Sequence, residues 1–335
     1  MRAPARSGIT PTRFQWRPLR AAERANYAQI GRPAGAVLEV AETSASDETP
    51  AYLRQVDENG APLAFIKIAS ADCRASFIRD GELAQRLSER SVRVPQQINL
   101  TPLEDGTIAV IQSWINGDHP SADNTDFEQL GASVAKFQNE LDSLSSDFSV
   151  AAKTEDRLNT LLAFAQSDAI QKRWAGDPLQ VFAEKATAWF LEFTPQMIAA
   201  DGPCHGDLNP GNLLIDEQGQ FVFLDLEDAL HSDQWRGFDL AKIIERIVLP
   251  EAAQRGQIWA MTATDALKTG YQRNAQLPSG PDGASALRWH IGMAVQLIAQ
   301  NLAREDPVAK MEMKKFECIA SFITNHEEVL ERLTD

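Results

Sequence analysis

Between residues 205 and 228 the chain reads HGDLNPGNLLIDEQGQFVFLDLED. Its polar residues are of the types, and in the order, that transfer of a phosphoryl group asks for. Asp207 is a carboxylate that can orient an attacking hydroxyl and take its proton. Asn212 follows five positions later, and Asp225 thirteen positions after that. An amide and a second carboxylate of this kind can hold a divalent cation on nucleotide phosphates.

The elements around these residues must bring them together. Pro210-Gly211 punctuates the chain, so residues 207–212 read as a turn and not as a helix. Leu213-Leu214-Ile215 and Phe221-Val222-Phe223-Leu224 are two short apolar runs separated by Asp216-Glu217-Gln218-Gly219, the pattern of a β-hairpin. A hairpin returns its far end to its start, which places Asp225 beside Asn212. Two protein oxygens supply the protein's share of a Mg²⁺ site, with phosphate oxygens and water completing it. Each residue alone would read as a turn former; the combination reads as a phosphotransferase site. His205 is expected to brace the loop by hydrogen bonding, since the carboxylate carries the work of the base.

Upstream, Leu63-Ala64-Phe65-Ile66-Lys67-Ile68 reads as a strand with one lysine in an apolar run, a costly placement unless the charge is paired. Residues 73–90 read as a helix with Phe77, Ile78, Ala84 and Leu87 as apolar positions. Glu82 lies in the middle of that helix, so Lys67–Glu82 is the expected ion pair; Asp80 and Glu89 share the helix. Arg93-Val94-Pro95 turns into the next strand, and residues 107–111 form a buried-strand run. Trp114-Ile115-Asn116-Gly117 follows, where Trp114 and Asn116 are candidates to carry a nucleotide base. No G-x-G-x-x-G lies between Val37 and Lys67. The corresponding loop spans residues 42–50, and Ser44 and Ser46 in it are the candidates to cover phosphates, although acids share the loop.

Taken together, His205-Gly206-Asp207, Asn212 and Asp225-Leu226-Glu227, with Asp239-Leu240-Ala241 downstream, resemble the aminoglycoside phosphotransferase and choline kinase superfamily, small-molecule relatives of protein kinases. The resemblance covers about residues 36–300. It implies an α+β fold that is bilobal and protein-kinase-like, with a small antiparallel β-sheet N-lobe and a mostly helical C-lobe. ATP would sit in the cleft between lobes. It also implies Asp207 as base with His205 beside it, Asn212 and Asp225 as Mg²⁺ ligands, and Glu227 as an outer or substrate-side carboxylate. Asp228 would join Glu227 in the segment that meets the acceptor. The corresponding division is an N-terminal arm over 1–30, an N-lobe over 31–113, a hinge over 114–118 and a C-lobe over 119–335. The implied reaction moves the γ-phosphoryl group of ATP to a hydroxyl of a small molecule: an amine, an aminoglycoside or a sugar. The alternative is a nucleotide-binding pseudokinase acting as sensor or scaffold. The missing glycine-rich loop favours that alternative, and the intact Asp207, Asn212 and Asp225 oppose it.

Composition bounds these readings. The chain has 335 residues and a formal net charge of −15, which argues against a nucleic-acid footprint and suits a cationic acceptor. No apolar run is long enough for a transmembrane helix. Three cysteines far apart suggest no metal site and no disulfide framework, the pattern of a reducing cytoplasm. Residues 1–24 carry six arginines and one acid, a composition like that of a transit peptide, and are expected as a disordered or loosely docked arm. Leu130, Val134, Phe137 and Leu141 recur at helical spacing. Further helices are expected over 156–171, 179–198, 238–249, 258–271, 284–302 and 311–333.

Overall fold

Alternating side chains along the N-terminal third build an antiparallel sheet in the computed structural model, which describes residues 15–42, 52–199, 202–277, 280–302 and 307–333. Its strands are β1 (Gln15–Pro18), β2 (Val37–Glu42), β3 (Tyr52–Val56), β4 (Pro62–Ser70), β5 (Gln97–Pro102) and β6 (Thr107–Ser113). They lie in the order β1-β2-β3-β4-β6-β5, every neighbouring pair antiparallel.

The period of two along a strand separates the faces. Ala64, Ile66 and Ile68 of β4 point one way, into a core with Leu38, Val40, Leu53, Ala109 and Ile111. Phe65 and Lys67 point the other way, toward the face packed by α2 (Arg74–Glu89), where Phe77 meets Ile108 and Val110.

The N-terminal expectation needs correction from residue 15 onward. Residues 15–18 pair with β2, and a short helix α1 (Ala21–Asn26) follows. Leu19, Tyr27 and Ile30 are buried in the core on the far face of the sheet. That face is apolar and needs a cover, which outweighs the arginine-rich composition that suggested a loose arm. Arg17 carries its charge to the rim and pairs with Glu23 at 2.6 Å.

A second sheet consists of β7 (Gly117–Asp118), β8 (Leu213–Asp216) and β9 (Phe221–Phe223). Two compact units result: residues 15–119 with 211–227, and residues 120–210 with 228–333. The hairpin and the 114–118 segment therefore belong with the sheet unit, whereas the sequence division put residues 119–335 in one lobe.

The second unit is helical: α3 (Phe127–Phe148), α4 (Val150–Ala165), α5 (Asp168–Trp174), α6 (Gln180–Ala199), α7 (Gly237–Ile243), α8 (Leu249–Arg255), α9 (Gln257–Gln272), α10 (Gly283–Asn301), α11 (Pro307–Thr324) and α12 (Glu327–Glu331). Two expected helices are broken: 156–171 divides into α4 and α5, and 311–333 turns at residues 325–326. Helix α3 buries Leu130, Val134, Phe137 and Leu141 as their spacing requires. It meets α9 closely, because a methyl on Gly131 would overlap the Leu267 carbonyl and one on Gly270 would overlap the Glu128 carbonyl. Between α7 and α8 one π turn, Ile244–Val248, keeps the segment helical while shifting its phase. No helix among the described residues is long and apolar enough to cross a membrane.

Candidate active site

The hairpin forms where the two apolar runs predicted it, with Leu213 opposite Phe223, Leu214 opposite Val222 and Ile215 opposite Phe221. Asp216 fixes the turn. Its Oδ1 accepts the N–H of Gln218 at 3.0 Å and of Gln220 at 2.8 Å, and its Oδ2 accepts from Arg93 at 2.5 Å. Although burial opposes it, these N–H groups and the Arg93 guanidinium hold the Asp216 carboxyl below the ordinary range. At the open end, the N–H of Leu224 donates to the carbonyl of Asn212 at 2.9 Å. Asp225 is the next residue, so the hairpin does return it to Asn212. Asn212 is buried, while half of the Asp225 side chain is exposed. Asp225 also has φ +55°, a left-handed conformation that non-glycine residues seldom adopt. Strain of this kind persists where surrounding structure over-determines it, often at functional sites.

Lys67 stands on β4 opposite Tyr52, whose ring stacks on Phe65 at 5.7 Å. Its Nζ lies over the Phe77 ring at 5.5 Å, so α2 does reach it. The expected ion pair, however, is wrong. Glu82 is exposed, and Lys67 instead donates to Glu227, with Asp225 Oδ1 at 3.7 Å. Although burial opposes it, the carboxylates of Asp225 and Glu227 hold the Lys67 ammonium above its ordinary pKa. The reason for the error is rotational phase. Phe77, Asp80, Leu83, Ala84 and Leu87 form the buried stripe of α2. At 100° per residue Glu82 points almost directly away from it.

Of the remaining expected nucleotide contacts, Trp114 is half-buried and its N–H reaches the Leu63 carbonyl at 3.4 Å. Its indole donates to Asn116 Oδ1 at 2.9 Å, and the Trp16 ring stands edge-on to it at 6.5 Å. Ser44 and Ser46 lie outside the described residues.

In the helical unit, Asp207 is set by a buried network. Asp239 on α7 accepts the N–H of His205 on Oδ2 at 2.8 Å and the N–H of Gly206 on Oδ1 at 3.1 Å. Gln138 on α3 also donates to Asp239 at 2.8 Å, and the hydroxyl of Tyr271 on α9 donates to Gln138 at 2.6 Å. Gly206 has φ +84°, and a methyl there would strike Ser232. The loop therefore needs glycine on both conformational and steric grounds. His205 is fully buried, with its ring 5.8 Å from that of Phe137.

Asn209 donates its amide to Asp207 Oδ2 at 3.1 Å. Burial raises the Asp207 carboxyl above the ordinary range; Lys242 opposes that, Asp228 adds to it and His205 opposes it. Of the two acceptor-side candidates, Glu227 is taken by Lys67, and Asp228 pairs with Arg157 at 3.0 Å.

Sequence reasoning missed Asn209, Arg157 and Lys242. Lys242 is fully buried and pairs with Glu245 at 3.2 Å, which Arg246 also holds at 2.7 Å. A signal existed. Asp239, Lys242 and Glu245 recur every three residues within the otherwise apolar run 238–245, a stripe that must be buried and paired. No comparable pattern marks Arg157.

A family model described as the phosphotransferase enzyme family matches residues 13–284. A search of curated proteins finds no relative by sequence. Among solved structures, the GDP and kanamycin complex of APH(2")-IIia is 15% identical with a TM-score of 0.54, over 92% of this chain and 98% of that one. Amicoumacin kinase hAmiN, in complex with AMP-PNP, Ca²⁺ and Ami, is 12% identical with a TM-score of 0.53, over 92% and 94%. An aminoglycoside-3'-phosphotransferase of type VIII is 17% identical with a TM-score of 0.50, over 82% and 98%. At these identities the likeness shows the fold, which is the kinase-like α+β fold expected from the resemblance.

Proposed function

Because this chain belongs to the phosphotransferase enzyme family, we propose that it transfers the γ-phosphoryl group of ATP to a hydroxyl of a small molecule. The observation that carries this reading is the hairpin, whose register returns Asp225 to Asn212 with Lys67 at 3.7 Å from the Asp225 carboxylate.

Each unit supplies its own groups. From the helical unit, Asp207 orients the acceptor hydroxyl and takes its proton. Burial raises its basicity, and the Asn209 amide fixes which way its carboxylate faces. His205 and Gly206 hold the loop through their bonds to Asp239. From the sheet unit, Lys67 holds the α- and β-phosphates, and Trp114 and Asn116 border the base.

Asn212 and Asp225 would hold Mg²⁺. Both offer hard oxygen donors, the type this ion takes. Among the described residues no group of three His, Cys, Asp or Glu could bind a metal by itself, so phosphate and water oxygens would complete the shell. The ion, when bound, neutralises charge on the phosphates.

An amine, aminoglycoside or sugar acceptor suits a chain of net charge −15. Structural neighbours of this fold were solved with kanamycin and with Ami. The free thiols of Cys73, Cys204 and Cys318 fit a reducing cytoplasm. A nucleotide-binding pseudokinase is not favoured, since Asp207, Asn212 and Asp225 are all present.

The test is Mg²⁺-dependent ADP release from ATP against a panel of aminoglycosides, choline, ethanolamine, thiamine, homoserine, methylthioribose and amino sugars, with Asp207→Asn as blank. One acceptor that raises release above the blank supports the reading. Nucleotide binding with silence on every acceptor returns weight to the pseudokinase.

A further inference from the structure

The lysine that a phosphotransferase of this fold sets on its nucleotide must be held in place, because a four-carbon side chain keeps many rotamers otherwise. We propose that Glu227, and not a glutamate of helix α2, is the carboxylate that positions Lys67. This rests on the reading of the site as a nucleotide site.

Several observations converge on it. Lys67 donates directly to Glu227 Oε1, and Asp225 Oδ1 stands 3.7 Å from the same nitrogen. The left-handed backbone at Asp225, followed by one short 3₁₀ segment (Leu226–His231), lets two carboxylates two residues apart face one ammonium. Helix α2 contributes to Lys67 through the Phe77 ring, an uncharged surface for the stem and cation. Glu82 on that helix is exposed. All four residues, Lys67, Phe77, Asp225 and Glu227, lie in the one compact unit formed by residues 15–119 and 211–227.

The arrangement divides the labour between the two acids. Asp225 keeps half of its side chain in solvent and is available to a cation, while Glu227 holds the lysine. Glu227 is thus a positioning residue. It acts on the nucleotide only through Lys67, and the two side chains form a unit whose energies do not add.

Two readouts test this. The first is independent of nucleotide: the acetylation rate of Lys67 by acetic anhydride, read by peptide mass spectrometry on the folded protein. Only the free amine reacts, so releasing Lys67 from its partner speeds acetylation. Glu227→Gln is expected to raise the rate several-fold, and Glu82→Gln to leave it at the wild-type value. The opposite ranking overturns the proposal.

The second readout is Mg²⁺-ADP affinity by calorimetry in wild type, Glu227→Gln, Lys67→Met and the double variant. Loss of a charge-assisted hydrogen bond is expected to weaken binding about tenfold in either single variant. The double variant is expected to be no weaker than Lys67→Met. Additive losses mean that Glu227 meets the ligand or its cation directly, and overturn the proposal. If wild type binds no nucleotide, the nucleotide reading falls, while acetylation still decides whether Glu227 is the lysine's partner. Glu227→Asp, which keeps the charge on a shorter arm, separates loss of pairing from misfolding, since it recovers part of the affinity only if the pairing matters.

Discussion

Asp239 and His205 are joined through the backbone: the carboxylate of Asp239 accepts the His205 N–H at 2.8 Å, thirty-four residues back along the chain. The other oxygen takes the N–H of Gly206, so one buried acid satisfies two successive donors of the loop that carries Asp207. Asp239→Ala leaves those two backbone donors without their acceptor, and leaves the Gln138 amide only its bond to the Arg236 carbonyl. The expected cost is about 3 kcal/mol or more of folding stability, with turnover falling at least as far as the loop loosens. Urea unfolding followed by fluorescence measures the first, and ADP release the second. An Asp239→Ala protein as stable as wild type would mean that the network is ornamental to the loop.

Asp207→Asn is expected to lower turnover by about a thousandfold or more while nucleotide affinity stays within a few-fold. The same change has a less obvious consequence for stability. The folded-state pKa of Asp207 is raised, chiefly by burial. Its ionisation is therefore harder in the folded chain than in the unfolded one, and the stability it lends is lost as pH rises through the folded pKa. Replacing it with a neutral amide removes that loss. At neutral pH the thermal midpoint of Asp207→Asn is expected to equal or exceed that of wild type. A fall of several degrees would point to a structural role for the carboxylate instead.

The neighbours of Asp207 pull its acidity in opposite directions. Lys242 holds its pKa down and Asp228 holds it up. The acidic limb of kcat/KM against pH should lie above the ordinary carboxylate range. Asp228→Asn should move that limb to lower pH, and Lys242→Met should move it to higher pH. Limbs that stay fixed in both variants would assign the titration to another group.

Acid stability has a separate source in the N-terminal segment. The Arg17 guanidinium bonds Glu23 and holds its pKa at about 2 against an ordinary 4.5. Because the folded pKa is depressed, the stabilisation is present above the unfolded pKa and is lost as pH falls through about 2. Glu23→Gln should therefore lower stability at neutral pH, with the difference from wild type closing between pH 4.5 and 2. A difference that does not change across that window would show that the pair contributes by packing alone.

What could be read from the sequence was local. The 205–228 stretch carries its own turn, strands and register, so the hairpin and the return of Asp225 to Asn212 could be expected from spacing. Lys67 was legible too, because a lone cation in an apolar strand must be spoken for. Its partner lies 160 residues away, and no periodicity records such a pairing. The helix offered an apparent answer in Glu82. Counting phase from Phe77, Ala84 and Leu87 alone would have turned it outward; including Ile78, which is exposed, blurred the stripe. The Asp239 network was legible only in part, since Asn209 and Gln138 are ordinary polar residues until the fold brings them to their carboxylates. The seal formed by Leu19, Tyr27 and Ile30 was hidden by the arginines around it.

The sheet unit is discontinuous, and this bears on how the chain is born. Arg93 cannot pair with Asp216, nor its carbonyl receive the N–H of Phe223, until residue 223 of 335 has been made. By then residues 120–210, a large part of the helical unit, have already been synthesised. The first piece synthesised can thus pair the strands of its own six-stranded sheet, but it waits for the third piece to bring the hairpin to Arg93. Contacts of such long separation form slowly and leave edges exposed meanwhile. Production of this protein should accordingly respond to chaperone supply and to growth temperature more than its composition alone would suggest.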